Sequence, residues 1–186
     1  VNELIEEGKV RHFGLSNESP YGVARFCDTA RSIGLVKPCS VQNVYNLLER
    51  VEFDSGMQEA LAPANENMGF IAYSPLAGGA LTGKYLGDLR RDDLAKARLR
   101  RYTGFQARYL TPTSLEAVNA YSQMADEFGL PLHVIALAFV YSRKFVSSTL
   151  IGASSMTQLH EAVLALNVAN TPTGFSSDLA EMVNAV

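Results

Sequence analysis

Short apolar runs alternate along the chain with longer segments whose apolar residues recur every three or four positions. This pattern predicts strands of a parallel sheet separated by amphipathic helices. Val1 to Glu7 reads as a helix stopped by Gly8, so the sequence reads as starting inside a longer fold. Four βα units follow. The first strand is predicted over Val10 to Leu15, ending at Ser16-Asn17, and its helix starts at Pro20 with Val23, Phe26, Cys27, Ala30 and Ile33 at helical spacing before Gly34. The second strand is predicted over Ser40 to Val44, followed by a helical segment from Ser55 with Met57, Leu61 and Ala64 on one side and Pro63 interrupting it. The third strand, Gly69 to Tyr73, is continuously apolar, as expected for a strand buried on both faces.

Between Ala77 and Pro112 the periodicity lapses into a long basic loop (77–112) that carries eight of the 16 basic residues: Lys84, Arg90, Arg91, Lys96, Arg98, Arg100, Arg101 and Arg108. A solvated surface loop accounts for such a stretch, but a loop longer than about 15 residues in a compact domain is often a lid or a binding segment. Its cations suit a phosphate-bearing ligand. Helices are then predicted from Ser114 to Phe128 (Leu115, Val118, Ser122, Ala125 and Phe128 on one face) and from Pro131 through Tyr141. The fourth strand is predicted over Ser147 to Ile151. Its helix is predicted over Met156 to Asn167 with Leu159, Ala162, Val163 and Leu166 inward, and a last helix runs from Ser177 with Leu179, Met182, Val183 and Val186.

Composition narrows the class. The 186 residues are 47% hydrophobic and carry 16 basic against 19 acidic side chains, a net charge of −3, which describes an ordinary globular chain, long enough over residues 1–186 for one domain or two small ones, and excludes a disordered or disulfide-stapled chain. The acidic balance and the lack of interleaved aromatics argue against nucleic acid as a partner. No run approaches the roughly 18 apolar residues of a membrane span, and no signal peptide opens the chain. Cys27 and Cys39 lack metal-knuckle spacing and are expected to be reduced, buried thiols in a cytoplasmic setting. No HxH, HExxH or Cys/His pair points to a metal, and His12, His133 and His160 are expected to be structural or exposed.

Parallel βα units hold ligands at the C-terminal ends of their strands. Here those ends are Ser16-Asn17, Gln42-Asn43, Tyr73-Ser74-Pro75-Leu76 and Gly152-Ala153-Ser154. They offer small polar and aromatic groups and no ionisable acid or base other than a tyrosine, a set better suited to holding a ligand than to moving protons.

Four ordered motifs carry a family resemblance: Gly8-Lys9-Val10-Arg11-His12-Phe13-Gly14-Leu15-Ser16-Asn17, Gln42, the run from Ala72 to Tyr85, and Leu150-Ile151-Gly152-Ala153-Ser154-Ser155 with Gln158, Leu159 and Glu161. Together they resemble the aldo-keto reductases, most closely the branch with the Tas-type reductases and potassium-channel beta subunits. The resemblance implies a partial (β/α)8 TIM barrel, four βα units corresponding to strands five to eight plus a C-terminal helix. It also implies NADPH as cofactor and a small aldehyde or ketone as substrate. Carried over by position, Ser16, Asn17 and Gln42 hold the nicotinamide carboxamide, and Tyr73 stacks on its ring. Ser74, Leu76, Gly78 and Lys84 contact the pyrophosphate, Ser154 and Gln158 the ribose 2′-phosphate, and Glu161 the adenine. Ala162 departs from the family, which carries an asparagine there.

The family's catalytic aspartate, tyrosine, lysine and histidine come from the first four strands, so no catalytic residue is assigned. A full barrel takes about 250 residues. The chain is therefore expected to be the cofactor-binding half of an NADPH-dependent reductase, inactive alone, which self-associates or requires the missing half-barrel. The alternatives are a non-catalytic NADPH-binding regulatory module and a degenerate remnant without ligand.

Overall fold

Helix-starting chemistry is written into α2 (Pro20–Ser32), where the Ser19 hydroxyl accepts a hydrogen bond from the Gly22 amide at 3.0 Å and Pro20 fills the first turn, a position that needs no amide hydrogen. In the computed structural model, which describes residues 1–51, 53–88, 94–95, 97–102, 104, 106–170 and 183, α2 belongs to one of two compact units. The first, the sheet unit, comprises Val1–Tyr45, Glu49–Tyr73 and Lys144–Leu150; the second, the helical unit, comprises Asn46–Leu48, Ser74–Arg143 and Ile151–Val186.

The sheet unit holds α1 (Asn2–Glu6), β1 (Gly14–Ser16), α2, β2 (Ser40–Val44), α3 (Gln58–Leu61), β3 (Gly69–Tyr73) and β4 (Val146–Thr149). All three strand pairings are parallel and the spatial order is β1-β2-β3-β4, the arrangement of a partial (β/α)n barrel. Register sets Ser16 beside Gln42 and Gln42 beside Ile71, while Leu15, Val41, Phe70 and Val146 form the alternate row. Near that second row, Phe53 stacks on Phe145 with centroids 3.5 Å apart, and Tyr45 meets Phe53, Phe70 and Phe145 edge-on.

The helical unit contains α4 (Arg98–Arg101), α5 (Pro112–Glu127), α6 (Leu132–Tyr141) and α7 (Met156–Asn170). Thr111 caps α5 by accepting from the Ser114 amide at 3.2 Å. Leu132 and every residue from Val134 to Val140 are buried on α6. Among the described residues no single helix is long and apolar enough to cross a membrane.

β2 and β3 occupy their predicted ranges, whereas other elements differ. β1 covers Gly14–Ser16 and not Val10–Leu15, because the amides of Lys9 and Val10 turn back to the Leu4 carbonyl and Phe13 makes its bond to Cys39 before β2 begins. β4 starts one residue earlier than expected and ends at Thr149, although the Leu150 amide still reaches the Ala72 carbonyl at 2.8 Å. The segment from Ser55 is an irregular turn with Gly56 at φ 125, followed only by α3.

Face assignments change as well. On α2, Val23 and Cys27 are buried while Phe26 and Ile33 are exposed. On α5 the buried set is Val118, Tyr121, Met124 and Ala125, and Phe128 is exposed. On α7 the buried residues are Ala162 and Ala165, whereas Leu159, Val163 and Leu166 are exposed, because α7 packs through alanines against Val134 and Leu137 of α6. Small residues permit that close approach, and leucine spacing does not reveal it. Cys39 is exposed, since it precedes β2 where the chain still runs over the surface; Cys27 is buried. Of the last predicted helix only Val183 lies within the described residues, and it is buried.

Candidate functional site

In the sheet unit, Ser16 and Tyr73 end β1 and β3, Asn17 follows β1, and Gln42 lies within β2, paired with Ser16. The Asn17 amide donates to the Gln42 carbonyl at 3.0 Å, carrying the β1–β2 ladder one step beyond the strand. Asn17 then turns left-handed, φ 54, a conformation asparagine tolerates better than most residues. Its Oδ1 accepts from the Tyr73 hydroxyl at 2.7 Å. That bond holds the Tyr73 ring across the ends of β1 and β3 and leaves the Asn17 side-chain NH₂ as donor. Buried Asn43 secures the same turn, donating to the Glu18 carbonyl at 2.9 Å and accepting from the Glu18 amide at 3.2 Å.

In the helical unit, the turn after β3 is built from left-handed residues: Ser74 at φ 52, Ala77 at φ 49, Gly78 at φ 64 and Gly79 at φ 97. Non-glycine residues in this region carry strain of about 1 kcal/mol or more each, and such strain concentrates where a surface is shaped for binding. A Cβ at Gly78 would lie 2.5 Å from Gln106 Oε1 and 2.7 Å from Leu99, and one at Gly79 would lie 2.8 Å from Lys84 Nζ. Those atoms are ends of side chains that can give way, so it is the positive φ that favours glycine, most of all at Gly79. The Leu76 carbonyl accepts from Gly79 and Leu81, while its side chain packs on the α6–α7 core.

Gln106 donates to the Ser74 hydroxyl at 3.4 Å, and buried Asn46 donates to the Ser74 carbonyl at 3.0 Å and to the Tyr109 hydroxyl at 3.3 Å. The basic loop is thus more than a solvated segment: Tyr85, Leu94, Leu99 and Tyr109 within it are buried. Arg90, Arg91 and Lys96 fall outside the described residues. Lys84 lies over the Tyr85 ring, 5.2 Å from its centroid, and burial first and Arg98 second pull its ammonium below the ordinary lysine range.

At the start of α7, the amide and the hydroxyl of Ser154 both donate to Gln158 Oε1, at 2.8 and 3.1 Å. Ser155 caps the helix by accepting from the Gln158 amide at 3.3 Å. Glu161, one turn further on, lies 3.3 Å from His133 Nε2 through its Oε2. His133, expected to be structural or exposed, thus has a carboxylate neighbour, while His12 and His160 are exposed.

Sequence patterns did not single out Asn46, Gln106 or the role of Asn43. The one available signal was an amide side chain within β2 in Asn43 and just beyond it in Asn46, since a buried polar group needs a partner. A separate cleft of about 620 Å³ in the sheet unit is lined by Pro20, Gly56, Glu59 and Asn65, with Arg31 and Glu66 in its wall already bonded to each other.

Strand ends of this composition on a parallel sheet suit holding a ligand better than moving protons. The profile of the aldo/keto reductase family matches residues 1–182, and the chain belongs to that family of oxidoreductases. It is 42% identical over 164 residues to an aldo-keto reductase of Babesia bovis, covering 88% of this chain and 57% of that protein. Protein tas of Escherichia coli is 37% identical over 166 residues, covering 89% and 46%. A probable voltage-gated potassium channel subunit beta of Oryza sativa subsp. japonica is 31% identical over 169 residues, covering 90% and 50%. The chain spans about half the length of the curated relatives it matches.

Proposed function

We propose that this chain is the NADPH-holding half of an aldo/keto reductase that reduces aldehydes and ketones to alcohols, with the proton donor supplied by a preceding half-barrel. The observation that carries this reading is the 2.7 Å bond from Tyr73 to Asn17 beside the registered pair Ser16 and Gln42. An amide ligand such as a nicotinamide carboxamide needs both a donor and an acceptor, which Ser16, the free NH₂ of Asn17 and the amide of Gln42 supply. Tyr73, tethered by its hydroxyl, offers its ring face for stacking.

The remaining residues fit the rest of the cofactor. Gly78 and Gly79 supply the positive φ that this turn needs, and Lys84 adds charge for the pyrophosphate beside Ser74 and Leu76. Two Ser154 donors converge on one point, now held by Gln158 Oε1, where a phosphate oxygen could accept them. Glu161 reads the adenine. When bound, the cofactor supplies the hydride; this chain's residues bind it, orient its ring and neutralise its phosphates.

We take residues 1–186 as one oxidoreductase domain working in the cytoplasm. Strands β1 and β4 are edges of the described sheet, and Leu159, Val163 and Leu166 are exposed on α7. Both features support a need for the other half-barrel or for self-association.

NADPH titration with a melting curve tests the reading. A ligand at 100 times its dissociation constant adds about 2.7 kcal/mol, so the melting temperature should rise clearly. Carbonyl-dependent NADPH oxidation should appear only when a first-half polypeptide is added. The relation to the rice channel subunit favours a second reading, a non-catalytic NADPH sensor, which gains if NADPH binds and is never oxidised in that mixture. No melting shift at all would leave a ligand-free remnant.

A further inference from the structure

His133 has no part in the cofactor set, yet its Nε2 is buried and makes no aligned hydrogen bond among the described residues. It lies 3.3 Å from Glu161 Oε2, the two side chains being 22% and 38% exposed. The pair rides on the seam between two helices: His133 precedes Val134 on α6, Glu161 precedes Ala162 on α7, and Val134, Leu137, Ala162 and Ala165 form the packed core between them. Such a close seam leaves little freedom for either backbone to shift. A buried imidazole nitrogen without a partner is costly, so the carboxylate is drawn toward it. A carboxylate has two oxygens, and holding one at the imidazole leaves the other directed elsewhere.

We propose that His133 is a positioning residue that fixes the Glu161 carboxylate so that its other oxygen accepts a hydrogen bond from the amino group of a bound adenine nucleotide. This rests on the reading of Glu161 given above. Ala162, buried in the seam, brings no polar group to the base, so the orientation of Glu161 decides recognition at this point of α7.

The test titrates the full 186-residue chain and its H133L, H133Q and E161Q variants with adenosine 2′,5′-bisphosphate and, separately, nicotinamide mononucleotide. The ring ¹⁵N signals of His133 are recorded in parallel without ligand. H133L should weaken the adenosine ligand roughly fivefold, the size of one ordinary hydrogen bond. H133Q, which can place an amide nitrogen near the Nε2 position, should restore most of that loss, and neither variant should change the affinity for nicotinamide mononucleotide. E161Q should shift the His133 Nε2 resonance. Unchanged adenosine affinity in H133L, with a ring signal that E161Q does not move, overturns the proposal and leaves the cofactor reading standing. Failure of the unsubstituted chain to bind either nucleotide overturns both.

Discussion

In the sheet unit the Arg31 guanidinium is met by two carboxylates, at 2.6 Å from Asp28 and 2.7 Å from Glu66, whereas in the helical unit the Lys84 ammonium is held beside Arg98. Lys37 adds a second cation 3.7 Å from Glu66. Glu66, buried to 7% exposure, is held down to about 2, above all by the Arg31 hydrogen bonds. Burial and then the Glu66 carboxylate push the neighbouring Cys27 thiol up to about 11. Charges in the first group answer one another and hold elements together. Lys84 is partly desolvated near a second cation, which lowers its pKa, and its ammonium also lies over the Tyr85 ring. Matched charge therefore marks architecture here, whereas Lys84 is a residue proposed above for the cofactor's pyrophosphate.

Substitutions should separate the two groups. The largest effect is expected from Glu66→Ala, which leaves Arg31 and Lys37 without their carboxylate and should cost about 2 kcal/mol of stability. The melting temperature should fall by roughly 4–8 °C with NADPH affinity unchanged; a parallel loss of affinity would break the distinction. The same carboxylate predicts an acid limb. Its pKa lies at about 2 in the folded chain against the usual 4.5, so its stabilisation is complete above pH 4.5 and is lost as pH falls toward 2. Acid melts of Glu66→Gln should be flatter across that window.

Lys84→Met should show the opposite behaviour, with about tenfold weaker NADPH binding, a shallower dependence on salt, and a melting temperature that is unchanged or slightly raised. Calorimetry at two ionic strengths checks both halves of this statement, and a clear loss of stability would argue that Lys84 is architectural after all. Tyr73→Ala should cost on the order of 1 kcal/mol of NADPH affinity through lost stacking. Tyr73→Phe, which keeps the ring and removes the bond to Asn17, should cost less. Smallest of all, Cys39 should be alkylated well before Cys27, as mass spectrometry at neutral pH would report, because one thiol is exposed and the other buried with a raised pKa.

Parts of this architecture were legible in the residues and parts were not. β3 announces itself because a parallel strand between two neighbours is apolar along its length, and it reads Gly-Phe-Ile-Ala-Tyr; β2, Ser-Val-Gln-Asn-Val, is legible only from its place in the alternation of short runs and helices. The inner face of α7 was misread because Leu159, Val163 and Leu166 dominate any hydrophobic pattern, while the contact with α6 is made by Ala162 and Ala165. The strand-end side chains were legible by position. What supports them was not: Asn43 reaches back 25 residues to Glu18, and Asn46 reaches 28 residues to Ser74 and 63 to Tyr109. No local pattern encodes contacts between residues so far apart. The His133–Glu161 approach depends in the same way on how two helices cross.

The order of the sheet follows the order of the chain, and this has a consequence for synthesis. β1, β2 and β3 can pair as each leaves the ribosome, since each strand docks beside the one made just before it. β4 begins 73 residues after β3 ends. At about 5–20 residues per second, that interval lasts roughly 4–15 s. For those seconds Gly69–Tyr73, the most apolar strand, is itself an unpaired edge. The vulnerable moment in the life of this polypeptide thus falls during translation, and a chaperone that recognises extended apolar segments would have its window there.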